Sequence, residues 1–215
     1  TNKSIKPTGA GNGVWHTPLI MDPKDNRTLY AGFMDIWKSI DKGENWNKIS
    51  NNLAPANSLL TQIAVAPSNT NYLYVTNGPN IWKSTNGGLS WEQIISNELS
   101  GFYITYFAID NINPEKLWIS ISGYFDGKKV FYSEDAGASW INYSEDLPNL
   151  PVNCIVREDN SNDVLFVGTD IGVYYRDASL KRWLPFKNGL PNVEVSELEI
   201  NYNLHSLVAG TRGRG

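Results

Sequence analysis

The segment IWKSIDKGENW at residues 36–46 decides the fold, because close copies of it recur along the chain. The copies are IWKSTNGGLSW at 81–91, VFYSEDAGASW at 130–140 and the more divergent VYYRDASLKRW at 173–183. Their final tryptophans are 45, 49 and 43 residues apart. A repeat period of about 40–50 residues is typical of propeller blades or of helical-pair arrays.

A short apolar strand precedes each copy at a similar offset. These strands are LYAG (29–32), LYVT (73–76), LWIS (117–120) and LFVG (165–168), and a fifth, LVAG, lies at 207–210. Turns rich in Pro, Asn and Asp separate each of them from an earlier strand. Because no segment has sustained helical periodicity with capping residues, each repeat is predicted to contain four short antiparallel strands, as in a β-propeller blade.

The spacing Ser-x-Asp-x-Gly-x-x-Trp within the copies predicts a tight hairpin turn. An Asp or Asn side chain accepts hydrogen bonds from backbone N–H groups of the turn, and glycine takes the positive φ that closes it. We therefore predict a structural role for Ser39, Asp41, Gly43 and Trp46, for Ser84, Asn86, Gly88 and Trp91, for Ser133, Asp135, Gly137 and Trp140, and for Trp183. The fourth copy has Arg176, Ala178 and Leu180 at the Ser, Asp and Gly positions, so Asp177 is the candidate to hold its turn.

These segments resemble the Asp-box repeats, also called BNR repeats, of sialidase-type β-propellers, and the resemblance covers essentially the whole chain. It implies an all-β propeller of four to five blades, each of four antiparallel strands, with Asp-box hairpins. Sortilin-type receptors and xyloglucanase-type glycoside hydrolases are broader relatives, so the resemblance implies a fold and no single activity.

Five further phrases are similar to large secreted multidomain proteins of gliding, polymer-degrading bacteria. They are TGAGNGVWHTP (8–18), LPNLPVNCIV (147–156), VGTDIGVYY (167–175), NGLPNVEVSELEI (188–200) and AGTRGRG (209–215). This similarity implies a secreted or cell-surface location and neighbouring domains in a longer chain.

The repeats predict one propeller module over residues 1–215, with repeats that end at Trp46, Trp91, Trp140 and Trp183 and a partial fifth repeat over 184–215. Two arrangements are open. We favour a piece of a larger propeller, in which an exposed blade edge would invite self-association. The alternative is a five-bladed ring whose last blade is completed by N-terminal residues such as Val14 and Trp15.

The composition limits the classes of partner and cofactor that this chain is expected to bind. The chain carries 18 basic and 22 acidic residues, for a net charge of −4, which disfavours non-specific nucleic-acid binding. No apolar run approaches the length of a membrane span. Cys154 lies in an apolar strand, and His16 and His205 are not in a metal-binding spacing, so we expect neither a metal nor a cofactor.

Candidate chemistry is sparse. The chain contains none of the common catalytic motifs, and Asp126, Asp170 and Asp35 are the candidates for the paired carboxylates of a glycoside hydrolase. An inserted loop, SGYFDGKK at 122–129, offers Tyr124 and Phe125 for stacking on sugars and Asp126 and Lys128 for hydrogen bonds. The alternative for this loop is an ordinary hairpin whose aromatic side chains pack on a neighbouring blade.

The sequence thus favours a non-catalytic scaffold for polysaccharide or protein binding. A glycoside-hydrolase-like propeller of xyloglucanase type, contributing to polysaccharide degradation, is the alternative. A purely structural spacer is a third reading.

Overall fold

The computed structural model describes residues 5–55, 58–186 and 189–213. Asn188, Arg214 and Gly215, which belong to two of the phrases quoted above, lie outside these ranges. The chain divides into two compact units, one up to Asn97 and one from Glu98 onward. The first contains β1 (Leu19–Met21), β2 (Leu29–Gly32), β3 (Ile36–Ser39), β4 (Asn47–Lys48), β5 (Gln62–Val65), β6 (Leu73–Thr76), β7 (Ile81–Ser84) and β8 (Glu92–Ile94). The second contains β9 (Ile104–Ile109), β10 (Leu117–Ile121), β11 (Val130–Ser133), β12 (Ile141–Asn142), β13 (Val152–Arg157), β14 (Leu165–Thr169), β15 (Gly172–Arg176), β16 (Leu184–Phe186), β17 (Val195–Asn201) and β18 (Ser206–Thr211).

Consecutive strands pair antiparallel into sheets that follow the sequence repeats. In the described residues, four sheets have four strands each: β1–β4 (blade 1), β5–β8 (blade 2), β9–β12 (blade 3) and β13–β16 (blade 4). The pair β17–β18 forms a fifth, two-stranded sheet. The prediction of an all-β fold with four-stranded antiparallel blades is confirmed, and the prediction that residues 1–215 form one module stays a prediction.

The fifth sheet bears on the two arrangements left open by the sequence. Val14 and Trp15 lie outside every described strand, and the side chain of Trp15 is 95% exposed. Among the described residues, β18 pairs with β17 alone, and no described strand pairs with its other edge. Self-association through a blade edge stays a prediction.

Apolar side chains on facing blades form the core of each unit. In the first unit, Tyr30, Leu60 and Leu73 are fully buried in the cluster that joins blades 1 and 2. In the second unit, Trp118 and Val167 are fully buried in the cluster that joins blades 3 and 4. Burying a large apolar side chain contributes about 1.5–3 kcal/mol, so packing between blades is a major source of stability in each unit.

Gly168 allows the fifth sheet to approach blade 4 closely. A Cβ atom at this position would lie 2.6 Å from Sγ of Cys154 and 2.7 Å from Cγ1 of Val195. Cys154 is fully buried, and this burial raises the pKa of its thiol to about 12. Cys154 therefore serves as a small apolar side chain at this contact.

A serine hydroxyl and an Asp or Asn side chain hold the hairpin turn of the first three repeats. In the first, the N–H of Gly43 donates to Oγ of Ser39 at 2.8 Å, and this hydroxyl donates to Oδ1 of Asp41 at 2.8 Å. The N–H of Asn45 donates to the same carboxylate at 2.8 Å. Equivalent bonds of 2.8–2.9 Å recur in the second and third copies.

The residue before each turn glycine also has a left-handed backbone conformation, which the motif does not predict. Lys42, Gly87 and Ala136 have φ of 63°, 72° and 56°. This backbone costs a residue other than glycine about 1–2 kcal/mol. In return, the N–H of each donates at 2.8–2.9 Å to a carbonyl of the turn that precedes the second strand of the same blade.

Two of the repeat tryptophans attach their blade to the preceding one. Nε1 of Trp91 donates to the carbonyl of Ile49 at 2.8 Å, and Nε1 of Trp183 donates to the carbonyl of Tyr143 at 3.0 Å. Both acceptors lie just after the last strand of the preceding blade. In contrast, Nε1 of Trp46 donates to a carbonyl of its own turn.

The divergent fourth turn is held by Asp177. Its Oδ1 accepts the N–H groups of Ser179 at 2.7 Å and Leu180 at 2.8 Å. A carboxylate therefore still holds the turn, but it comes from a different position in the repeat.

Arg176, at the serine position of the fourth copy, strengthens the contact with blade 3. Its side chain is 2% exposed and donates two hydrogen bonds to the carboxylate of Glu145, one of them from Nε at 2.6 Å. Its guanidinium stacks 3.5 Å from the ring centroid of Tyr143. The N–H of Trp183 donates to Oδ1 of Asp146 at 2.8 Å, so several polar contacts join blades 3 and 4.

Replacing Trp183 should therefore damage its unit more than replacing Trp46. Trp183→Ala removes a side chain that is 3% exposed together with the hydrogen bond to Tyr143, and should lower the free energy of unfolding by about 3–5 kcal/mol. Trp46→Ala removes a half-buried side chain and should cost less than half of that. Urea unfolding of both variants measures the difference, and equal losses would contradict the inter-blade role of Trp183.

Asp41 should make the stability of its hairpin sensitive to acid. Hydrogen bonds from the backbone and side chain of Asn45, and from Ser39, lower the pKa of Asp41 to about 2. Because this is below the unfolded value of about 3.9, the carboxylate stabilises the fold above pH 4, and this contribution is lost as the pH falls towards 2. Asp41→Asn should lower the melting temperature at pH 7, and the difference from the wild type should shrink as the pH approaches 2.

The second copy supplies the reciprocal control, since Asn86 occupies the position of Asp41. Asn86→Asp should add stability at pH 7 that disappears in acid. Thermal melts between pH 7 and pH 2 test both variants, and differences that do not change with pH would rule out this role of the carboxylate.

Candidate functional site

The loop between β10 and β11 is anchored at both ends. The side chain of Lys129 is fully buried, and its Nζ donates to the carbonyl of Gly123 at 2.7 Å. Nδ2 of Asn142 donates to the carbonyl of Gly127 at 2.8 Å. The loop therefore has a defined conformation, which is needed to hold its aromatic residues in a fixed position.

Lys129 was not singled out from the sequence, where it looks like one of two solvent-exposed loop lysines. Its burial lowers the pKa of its ammonium group, and the nearby carboxylate of Asp126 opposes this shift. Lys128 instead places its Nζ 5.7 Å from the ring centroid of Phe131. The two lysines thus have different surroundings that the sequence does not distinguish.

The two aromatic side chains of the loop differ in accessibility. The ring of Phe125 packs edge-on against Phe102, with centroids 5.0 Å apart, and covers Gly123. The side chain of Tyr124 is 67% exposed, against 43% for Phe125. Tyr124 is thus the more accessible stacking surface. Phe125 packs on Phe102, which precedes the first strand of the same blade, and not on a neighbouring blade.

The structure places Tyr124 beside Asp170, one of the three candidate carboxylates. The hydroxyl of Tyr124 lies 3.5 Å from Oδ2 of Asp170, at the long limit of a hydrogen bond. Nδ2 of Asn153 lies 3.2 Å from Oδ1 of Asp170 and 3.2 Å from the carbonyl oxygen of Val195. Ile171, the next residue along the chain, is 42% exposed. We call Tyr124, Asn153, Asp170 and Ile171 the Tyr124 surface.

Asp126 and Asp35, the other two candidate carboxylates, have different surroundings. Asp126 is exposed in the same loop as Tyr124. Asp35 belongs to the first unit, where its carboxylate accepts hydrogen bonds from Ser50 at 2.7 Å and from the N–H of Leu53 at 3.1 Å. Burial raises the pKa of Asp35, but these bonds and one from Lys48 outweigh it and leave the pKa below its ordinary value. Asp35 is therefore poorly suited to donate a proton.

Glu197 is a carboxylate that the sequence analysis missed. Tyr106 donates a hydrogen bond from its hydroxyl to Oε1 of Glu197. Glu197 lies at the surface, but partial desolvation of its carboxyl group, with a smaller contribution from Glu199, raises its pKa, and the bond from Tyr106 acts in the opposite direction. No motif surrounds Glu197 in the sequence, and only the packing of β17 reveals its environment.

Within residues 5–55, 58–186 and 189–213, no three His, Cys, Asp or Glu side chains form a group that could hold a metal ion. The part of the chain that the structure describes contains no helix with the length and hydrophobicity needed to cross a membrane.

Comparison with known proteins identifies relatives of this chain. Xyloglucanase from Hypocrea jecorina is 26% identical over 175 residues, which cover 61% of this chain and 21% of that protein. The chain thus spans about a fifth of the length of this curated relative.

Two solved structures share the fold at low sequence identity. The GH74 xyloglucanase from Xanthomonas campestris superposes with a TM-score of 0.73 at 15% identity, over 92% of this chain and 35% of that one. The extracellular domain of a one-component system protein, BT4673 from B. thetaiotaomicron, gives 0.64 at 15% identity, over 91% and 25%. The family model described as the DUF6242 beta propeller domain matches residues 30–208. The chain therefore belongs to the DUF6242 beta-propeller domain family.

Proposed function

We propose that this domain is a non-catalytic binding module of a secreted or cell-surface protein and that it holds a polysaccharide at the Tyr124 surface. The observation that carries the proposal is the largely exposed ring of Tyr124 next to Asp170, whose other oxygen is held by Asn153. An aromatic ring with an apolar face and a polar rim suits a sugar, which has both kinds of surface.

The hydrogen bonding at this surface favours a ligand rich in hydroxyl groups. The 3.5 Å separation between the Tyr124 hydroxyl and Asp170 is long, so a sugar hydroxyl can replace it with two shorter bonds. That hydroxyl would accept from Tyr124 and donate to the carboxylate of Asp170. The fixed loop conformation reduces the entropy lost on binding.

The carboxylates support binding over catalysis. Glycoside hydrolysis uses a carboxylic acid of raised pKa and a second carboxylate on the other side of the bond. Asp35 is held by structural hydrogen bonds, and Asp170 is engaged by Asn153 and Tyr124. The edge of the proposed site is formed by Phe125, Asp126 and Lys128.

Finer aspects of the family relationship are also part of the proposal. We propose that the turns held by Ser39, Ser84 and Ser133 are Asp-box turns and that the domain shares ancestry with sialidase-, sortilin- and xyloglucanase-type propellers. The hydrogen bonds of these turns support the first point. A secreted or surface location is supported by the similarity to an extracellular domain and by the secreted proteins that the sequence resembles.

A glycoside-hydrolase-like role is the second candidate, and Glu197 is the observation that favours it. Its raised pKa is a property of a general acid. Asn153 contacts both Asp170 and the backbone of Val195, two residues before Glu197, so two carboxylates lie in neighbouring parts of this unit. The similarity to Xyloglucanase of Hypocrea jecorina points in the same direction.

One set of assays on the purified domain distinguishes the binding proposal from the hydrolase alternative. We expect retention on insoluble β-glucans or in gels containing xyloglucan, without release of reducing sugars above a boiled control. Tyr124→Ala and Asp170→Ala should each weaken binding by about tenfold or more, which corresponds to ~1.4 kcal/mol. Tyr124→Phe keeps the ring and should lose less.

Tyr202→Ala is the matched control, because Tyr202 is 47% exposed and lies on a different loop. This variant should bind as the wild type does. Binding that does not respond to Tyr124→Ala, or absence of binding to every polymer tested, would refute the proposal. Release of reducing sugars that is abolished by Glu197→Gln would establish the hydrolase alternative instead.

A further inference from the structure

A concave site lies in the first unit, between the outer parts of blades 1 and 2. It is a groove of about 740 Å³, lined by residues 48–53 and 87–91 together with Trp82 and Gln93. We call it the Trp91 groove. Its volume is within the range of about 300–1,000 Å³ that small-molecule sites occupy. It shares no residue with the Tyr124 surface.

The apolar wall of the groove is fixed in position. The indole N–H of Trp91 donates to the carbonyl of Ile49 at 2.8 Å, which sets the orientation of its half-buried ring. Gly88 abuts the side chain of Ile49 so closely that a Cβ would lie 2.6 Å from it. Leu89 extends the wall, and its side chain is 89% exposed. A ligand therefore meets a rigid ring with an accessible apolar neighbour.

The polar lining of the groove carries one positive charge, which is offset by a carboxylate just outside the lining. Lys48 is the one charged residue among the described lining residues, and its Nζ lies 3.3 Å from Oδ2 of Asp35. The remaining polar side chains include the amides of Asn51, Asn52 and Gln93. Nε2 of Gln93 donates a hydrogen bond to Oδ1 of Asn80, and this bond fixes the orientation of the Gln93 amide group, including its oxygen. A neutral ligand with many hydroxyl groups matches this lining better than an ionic one.

The strands beside the groove do not favour an extended peptide. Peptides commonly bind by adding a strand to an open sheet edge. The edge strands here, β4 and β8, are two and three residues long, and offer few backbone groups for such pairing. Recognition in the groove would therefore depend on the aromatic wall and on the side-chain amides.

We propose that the Trp91 groove binds a neutral oligosaccharide chain, with a sugar ring against Trp91 and Leu89 and its hydroxyl groups bonded to Asn51 and Gln93. This proposal rests on the proposed function in one respect, namely that the ligand is a carbohydrate. The domain would then hold a polymer through two separate sites, one in each unit.

The test uses the Tyr124→Ala variant of the domain, so that binding at the Tyr124 surface is weakened. Cellohexaose, laminarihexaose and a xyloglucan oligosaccharide are titrated separately by calorimetry, with tryptophan fluorescence as a second readout. We expect at least one of them to bind with a stoichiometry of one and to perturb the fluorescence. Adding Leu89→Asp or Gln93→Ala should weaken this binding at least fivefold.

Leu89 and Gln93 are chosen because both side chains are exposed, so their replacement, which removes only the surface bond from Gln93 to Asn80, should change the melting temperature little. Ile95→Asp is the matched control, because Ile95 is 83% exposed and is not among the lining residues. Absence of binding to all three oligosaccharides in Tyr124→Ala, or binding unaffected by Leu89→Asp and Gln93→Ala, would overturn the proposal. If the wild type binds tightly and Tyr124→Ala does not bind, the proposal for the Trp91 groove is overturned, whereas the proposal for the Tyr124 surface stands.

Discussion

The hydrogen bond from a glycine N–H to a serine hydroxyl is the constraint on which each intact repeat depends. It joins Gly43 to Ser39, and equivalent bonds are found in the next two copies. The same hydroxyl donates to an Asp or Asn side chain, which in turn accepts a backbone N–H farther along the turn. These bonds satisfy polar groups at a turn whose backbone is left-handed at two successive residues, and they offset the cost of that conformation.

The turn determines where the tryptophan enters the blade interface, and so connects local structure with packing. Trp91 and Trp183 each donate to a carbonyl just beyond the last strand of the preceding blade. In the fourth repeat the serine is replaced by Arg176, yet this attachment is kept and is reinforced by the pair with Glu145. The contact between blades is thus maintained where the turn motif has diverged. The groove beside Trp91 is a consequence of the same geometry, because the fixed indole forms its wall.

Local features could be predicted from the sequence, and features that depend on distant contacts could not. The spacing of Ser, Asp, Gly and Trp is confined to eight residues, so it predicts the turns, and the short apolar strands before each copy predict the four-stranded blades. The left-handed backbone of Lys42 is not marked by a glycine and was missed. The approach of Tyr124 to Asp170 spans 46 residues of sequence and depends on how neighbouring blades pack. The contact of Glu197 with Tyr106 likewise joins residues that are 91 positions apart in the sequence, and no motif encodes it.

Amide hydrogen exchange measured by NMR tests the central claim about the turns most directly. If the serine hydroxyl holds each hairpin, the N–H groups of Gly43, Gly88 and Gly137 should exchange at least about 100-fold more slowly than amides of an unstructured chain. Replacing the serine of one turn by alanine should remove this protection in that turn and leave the other two unchanged. Exchange of all three glycine amides at unprotected rates in the wild-type domain would contradict the account.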